Sequence, residues 1–328
     1  MSVILHIGTH KTGTTLLQLF ADKHRDRLRN AGIEYPDWKE WLGIRSHYAH
    51  HDLAHAIADN SRVLGRRKLD RFCSQLRERS ADHDLLLSAE PFYRYALNGH
   101  RSPRASRNAY VQRLSEWMRG LDITVVVVYR RPDDFAASMY GEHVLQTRFA
   151  GTMDRFIRQR PYLFDYAWQN DLFERNIGTV SNLCYERLKN TGLINGFFSE
   201  LGVDVSEWER PETANTSRDP ALIELKRRAN EAPADDSREK TRLQRLDALS
   251  LQDVMPGEET LRPRSLWESE DDEREFMERW TEKFRTSRYW DASSYGHLWA
   301  GSEEKLYRSE WIAHLNTDCA SRVYPNVA

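Results

Sequence analysis

Cysteine is scarce in this chain: three residues in 328, Cys73, Cys184 and Cys319, odd in number and far apart. That spacing excludes a disulfide framework and the paired cysteines of a zinc site, and it predicts free buried thiols in a reducing compartment. An excess of either charge is also missing. Lysine and arginine total 48 against 50 aspartates and glutamates, a net charge of −2, so no global field favours a polyanion and nucleic acid is not an expected partner. No apolar run approaches the roughly 20 residues of a membrane span. The N-terminal residues lack a basic segment followed by an apolar stretch and a small-residue cleavage site, because a strand pattern already begins at Val3; a cytoplasmic protein is expected. Internal repeats are absent as well.

What is present is an alternation of strand and helix patterns. Val3-Ile-Leu-His-Ile7 is a short apolar, β-branched run ending at Gly8, and Leu16, Leu17, Phe20 and Leu28 then fall on one side of a helix of about four turns that stops near Gly32. Ile33 to Pro36 leads into a connection rich in tryptophan and histidine, followed by helices near 49–59 and 66–80. Residues 84–88 and 123–129 read as interior parallel strands with a helix near 106–119 between them. Pro132 opens another helix, and a strand near 179–185 and a helix near 190–201 continue the series. The fold class is therefore α/β, a P-loop-type three-layer arrangement with a mostly parallel central sheet flanked by helices. Beyond residue 210 the composition shifts: 231–247 and 268–275 are dense in charge, while Trp267, Trp280, Trp290, Trp299 and Trp311 punctuate the rest. The division expected is a core over 1–210 and a helical C-terminal extension over 211–328, packed on the same domain through those aromatics.

Chemistry concentrates first in the loop after the initial strand. Gly8-Thr-His-Lys-Thr-Gly13-Thr14-Thr15 has the glycine spacing of a nucleotide-phosphate loop, in which backbone N–H groups and a helix N-terminus face an anion. The lysine that follows the second glycine in nucleoside-triphosphate loops, where it reaches the β- and γ-phosphates, is replaced by Thr14, and the loop's lysine has moved forward to Lys11. A second cluster follows the strand that ends at Tyr129: Arg130-Arg131-Pro132, then Ser138 eight residues after Arg130. Arg130 falls at the carboxyl end of its strand, where open α/β sheets bind ligands.

These two motifs, in this order and about 115 residues apart, resemble the phosphate motifs of the sulfotransferases that use 3′-phosphoadenosine-5′-phosphosulfate (PAPS). The family's 5′-phosphosulfate loop is commonly P-K-T/S-G-T-T, and His10 stands here in place of its proline. The resemblance includes the stretch from Leu28 to Pro36 and covers about the first 205 residues. It implies that Lys11, Thr12, Gly13, Thr14 and Thr15 hold the 5′-phosphosulfate, that Arg130 and Ser138 hold the 3′-phosphate, and that the product is 3′-phosphoadenosine-5′-phosphate (PAP). Sulfuryl transfer needs in-line positioning, charge stabilisation on the leaving oxygen and removal of the acceptor's proton, with no metal intrinsic to it.

Lys11 is the electrophilic group of that scheme. The base is expected to be Glu90, directly after the second interior strand, although it could equally cap the next segment or pair with Arg94. His50 is the second choice, from the group His47, His50, His51 and His55, whose spacing suits a polar helix face and mimics a metal site without supplying a carboxylate or cysteine partner. Arg94, His100, Arg101, Arg104 and Arg107 form either a solvated basic loop or a guide for an anionic acceptor. Rival readings are a kinase dependent on nucleoside triphosphate and Mg²⁺, and a non-catalytic nucleotide-binding protein. The acceptor, a small molecule or a glycan carried free or on a lipid, is not specified by any motif.

Overall fold

The computed structural model describes residues 1–45, 47–212, 219–231, 265–296 and 299. Cys319, Trp311 and most of the charged stretch 231–247 lie outside the described residues. In chain order, β1 (Val3–His6) is followed by α1 (Thr14–Lys23), α2 (Arg25–Asn30), β2 (Ile33–Glu34), α3 (Trp38–Leu42), α4 (His51–Ile57) and α5 (Arg66–Arg79). Then come β3 (Asp84–Ser88), α6 (Pro91–Arg94), α7 (Pro103–Trp117), β4 (Ile123–Tyr129), α8 (Pro132–Gln146), α9 (Met153–Gln159) and α10 (Tyr166–Asn176). The remainder is β5 (Thr179–Cys184), α11 (Tyr185–Asn190), α12 (Leu193–Glu200), α13 (Pro220–Ala229), α14 (Glu270–Arg285) and α15 (Ala292–Tyr295).

The chain divides into two compact units, the first made of residues 1–131, 160–214 and 283–300. It holds a five-stranded sheet in the order β2-β3-β1-β4-β5, every neighbouring pair parallel. Ile4, Leu86, Val126 and Val128 project to one face, where they meet Leu17, Phe20, Phe197 and Phe198 of α1 and α12. Their neighbours Val3, Leu5, Leu85, Leu87, Val125 and Val127 point to the other face and are equally buried, as interior parallel strands require. The expected α/β class is thus what the chain adopts.

Several boundaries differ from the periodicity for local reasons. The helix read through Leu28 is two helices, broken at His24, whose Nε2 meets the Glu209 carbonyl 2.8 Å away. The helix read near 190–201 is α12, from Leu193 to Glu200, set off from α11 by Gly192 at φ +84°. Ile33 and Glu34, read as a connection, form the edge strand β2 beside Asp84 and Leu85.

The second unit comprises residues 132–159, 215–282 and 301–328. Its internal packing joins α8 to α13. A Cβ on Gly141 of α8 would stand 2.7 Å from Ile223 Cδ1 of α13, so the two helices approach closely at the glycine. The Asn230 amide donates to the carbonyls of Val144, Thr147 and Phe149, tying the end of α8 to the end of α13. Trp267 packs on Phe276 at 4.8 Å in this unit. Trp290 and Trp299 instead join the first unit, where they surround Phe284 and Tyr295 and where the Trp299 indole donates to Glu186 at 3.0 Å.

Candidate active site

The phosphate loop is sewn to the sheet before it turns. The Ile7 and Thr9 amides donate to the carbonyls of Val126 and Val128 at 3.0 and 2.9 Å, and the Val128 amide donates to the Gly8 carbonyl. The Thr9 hydroxyl adds a bond to the Val128 carbonyl at 3.1 Å, and the Thr12 hydroxyl closes the loop on the Thr9 carbonyl at 2.7 Å. Lys11 and Gly13 adopt left-handed backbone, at φ +64° and +71°. Gly13 then starts α1, its carbonyl receiving the Leu16 and Leu17 amides, and as a glycine it brings no side chain to cap the helix's first N–H groups. Those amides and the exposed Lys11 together make a cationic, donor-rich corner of the kind that binds phosphate.

Glu90 follows β3 at the same edge of the sheet and lies against the loop, its Cβ 3.3 Å from where a Cβ on Gly8 would be. Thr14 donates its hydroxyl to Glu90 Oε1, and the Gln18 amide donates to Oε2 at 3.2 Å. His51, the first residue of α4, meets Oε2 at 2.5 Å through Nε2. Burial disfavours the charged carboxylate, but the hydrogen bond and charge of His51, with His10 and the Thr14 hydroxyl, outweigh it and hold the Glu90 carboxyl well below its ordinary range. An ionised carboxylate only accepts, so the hydrogen of this bond is on His51 Nε2. The Glu90 side chain is 7% exposed and that of His51 31%, so of the two it is the imidazole that meets solvent. Although Glu90 precedes α6, it makes no side-chain capping bond there.

His50 occupies a different place. It is buried among Tyr35 and Trp38, with Nε2 on the Pro36 carbonyl at 3.0 Å and Nδ1 accepting from the Ser88 amide at 3.1 Å. Burial, helped by Arg25, pushes it down to about 3. Both ring nitrogens are engaged in the core, so His50 is corrected from candidate base to structural residue. His47 precedes α4 rather than sharing its face, and His55 turns to the Tyr95 hydroxyl. Among the described residues no cluster of His, Cys, Asp and Glu has the arrangement of a metal site. Sequence reasoning missed His51 because adjacent histidines at a helix start point in different directions, and only the aromatic pocket around His50 tells which one goes inward.

Arg130 stands at the end of β4 and donates to the Lys11 carbonyl at 3.3 Å, which places it beside the loop; its guanidinium lies over the Tyr185 ring and its own carbonyl receives the Tyr166 hydroxyl. Ser138 belongs to the second unit, half-buried in the second turn of α8. Thr15 is the second residue of α1. In the group that follows Glu90, Arg107 is fully buried, bonded to Gln169 and to the Tyr95 carbonyl, and Arg104 pairs with Asp165 while lying over Trp168. Those two arginines are structural, which leaves His100 and Arg101 as the exposed members.

No protein-family model matches the chain, and no curated protein is similar to it. Among solved structures it is similar to a sulfotransferase from Alicyclobacillus acidocaldarius, 15% identical, over 77% of this chain and 97% of the other, with a TM-score of 0.36. A likeness so distant transfers no residue's role.

Proposed function

We propose that this chain is a sulfotransferase that moves a sulfuryl group from PAPS to a hydroxyl or amine on a small-molecule or glycan acceptor. The observation that carries the reading is the direction of Thr14. Its side chain is buried and bonded to Glu90, so the position that holds the γ-phosphate lysine in triphosphate enzymes turns inward, and the loop's cation is the exposed Lys11. A loop so arranged suits a donor with one phosphate and a sulfate, rather than a triphosphate.

The donor supplies an electrophilic sulfur and a phosphate leaving group. In this reading the Lys11 ammonium offsets charge developing on the leaving oxygen, and the first amides of α1 hold the 5′-phosphate. Arg130, at the strand end beside Lys11, is the candidate for the 3′-phosphate; a share in that contact for Ser138 is what the family resemblance implies. His51 Nδ1 takes the proton of the acceptor as its oxygen or nitrogen attacks. Glu90 keeps Nε2 protonated and stabilises the imidazolium that forms, while Thr14 and Gln18 fix the carboxylate. Donor loop and base are thereby linked through one carboxylate.

Calorimetry with PAP and with ATP-Mg²⁺ tests the reading directly. Binding of PAP far tighter than of ATP-Mg²⁺ is expected. Equal binding of both, or of ATP-Mg²⁺ alone, would transfer the chain to the kinases.

A further inference from the structure

The turn between α4 and α5 carries an exposed cationic surface that the proposed chemistry does not use. Arg62, Arg66, Arg67, Lys68 and Arg71 are all exposed, against two acids, Asp70 and Asp59, of which Asp59 is already paired with Arg113. Among the described residues none of the five has an ion-pair partner: Lys68 donates to the Val63 carbonyl at 3.4 Å, and Arg66 lies 5.9 Å from the Trp117 ring. Three of them fill the first turn of α5, which has no acidic residue, so cations stand on the positive end of a helix. That placement costs free energy unless an anion covers it. At the centre sits Val63, 41% exposed, which with Met1 makes up the exposed large apolar side chains of the described residues. The Ser61 hydroxyl accepts the amides of Val63 and Leu64 and so holds the turn in shape.

We infer that this turn docks the protein on an anionic phospholipid surface, with the cations on the headgroup phosphates and Val63 entering the boundary below them. A nucleic-acid backbone would satisfy the charges but offer nothing to the valine, whereas an anionic bilayer satisfies both. The position also matters for the site. The seven residues of α4, spanning about 10 Å, run from His51 to Ile57 just before the turn, so docking holds the site close to the bilayer. If the sulfuryl-transfer reading holds, this favours an acceptor carried on a lipid.

Sedimentation of the full chain with vesicles of phosphatidylcholine alone, and of phosphatidylcholine mixed with phosphatidylglycerol, tests the docking. Binding to the mixed vesicles only, weakened by salt, is expected. Each basic residue near an anionic surface contributes roughly a fivefold factor, so Arg66→Gln/Arg67→Gln loses about 30-fold, and Val63→Asp also weakens binding. PAP affinity stays unchanged in both variants, which separates failure of the docking from failure of the sulfuryl-transfer reading. Equal binding to the two vesicle types, no binding to either, or a preference for duplex DNA lost in the same variants overturns the inference.

Discussion

At the scale of the residue, the site turns on a charge kept out of water. A carboxylate as buried as Glu90 persists only with donors around it, and Thr14, Gln18 and His51 supply them. Each partner is thereby committed, which makes the roles separable by mutation. His51→Ala removes the proposed base, so kcat should fall about 100- to 10,000-fold with PAP affinity unchanged. Glu90→Gln keeps the shape but no longer enforces the proton on Nε2, and a loss of about 100-fold or more is expected. Lys11→Ala should lose about 100- to 1,000-fold in turnover and weaken PAP as well, because its charge acts on the donor itself. Assays of PAP formation with PAP calorimetry alongside read all three; wild-type turnover in His51→Ala would remove the histidine from the mechanism. That Glu90 and Lys11 stand at one edge of the sheet was readable in the sequence, because Glu90 comes just after β3 and Lys11 lies in the loop after β1. The choice between His50 and His51 was not, since it depends on Tyr35, Pro36 and Ser88, which the fold brings from elsewhere.

Elements fix where these residues stand. α1 begins at Gly13, and α12 lies so near that a Cβ on Gly13 would be 2.2 Å from Leu193 Cδ2. Two penalties follow for Gly13→Ala: about 1–2 kcal/mol for a side chain in left-handed backbone and about 1–3 kcal/mol for the overlap. The second is relieved in Gly13→Ala/Leu193→Ala and the first is not. Denaturant unfolding of the double-mutant cycle should therefore show a coupling of about 1–3 kcal/mol, and strict additivity would mean that α12 gives way. The glycine spacing was readable in advance, but the helix that presses on it was not. The break at His24 escaped the periodicity for a related reason, since the apolar pattern continues across it and only a hydrogen bond to the Glu209 carbonyl marks the interruption. The start of α7 was legible but overlooked: Ser102 accepts the Ala105 amide and Pro103 is the first helical residue, an ordinary helix-start signature.

Across the whole molecule, the strands that alternate with helices were recognisable because β1, β3 and β4 are apolar on both faces, which only a covered parallel sheet tolerates. The two-unit division was not, because it depends on α8 finding α13 across a long stretch of chain. The same burial that makes the sheet stable also stores a dependence on pH. His6, beneath the phosphate loop, is pushed down to about 4 by burial despite the nearby Glu90 carboxylate, and His50 is pushed down to about 3. An unfolded chain takes up a proton at each near 6.5, while the folded chain resists until near 4 and 3. Below 6.5 the unfolded state therefore binds more protons, and stability falls as pH falls, by about 1.4 kcal/mol per pH unit for each histidine. Above 6.5 both are neutral in either state and the contribution is constant. Glu90 does not blur this window, since its carboxyl is ionised in both states until the unfolded value near 4.5 is reached. Urea unfolding at a series of pH values should thus show a plateau above 6.5 and a decline beneath it. His50→Gln should be less stable on the plateau but decline less steeply, because one of the proton-linked groups, which also include His6 and the half-buried His55, is gone; an unchanged slope would assign the dependence to other groups.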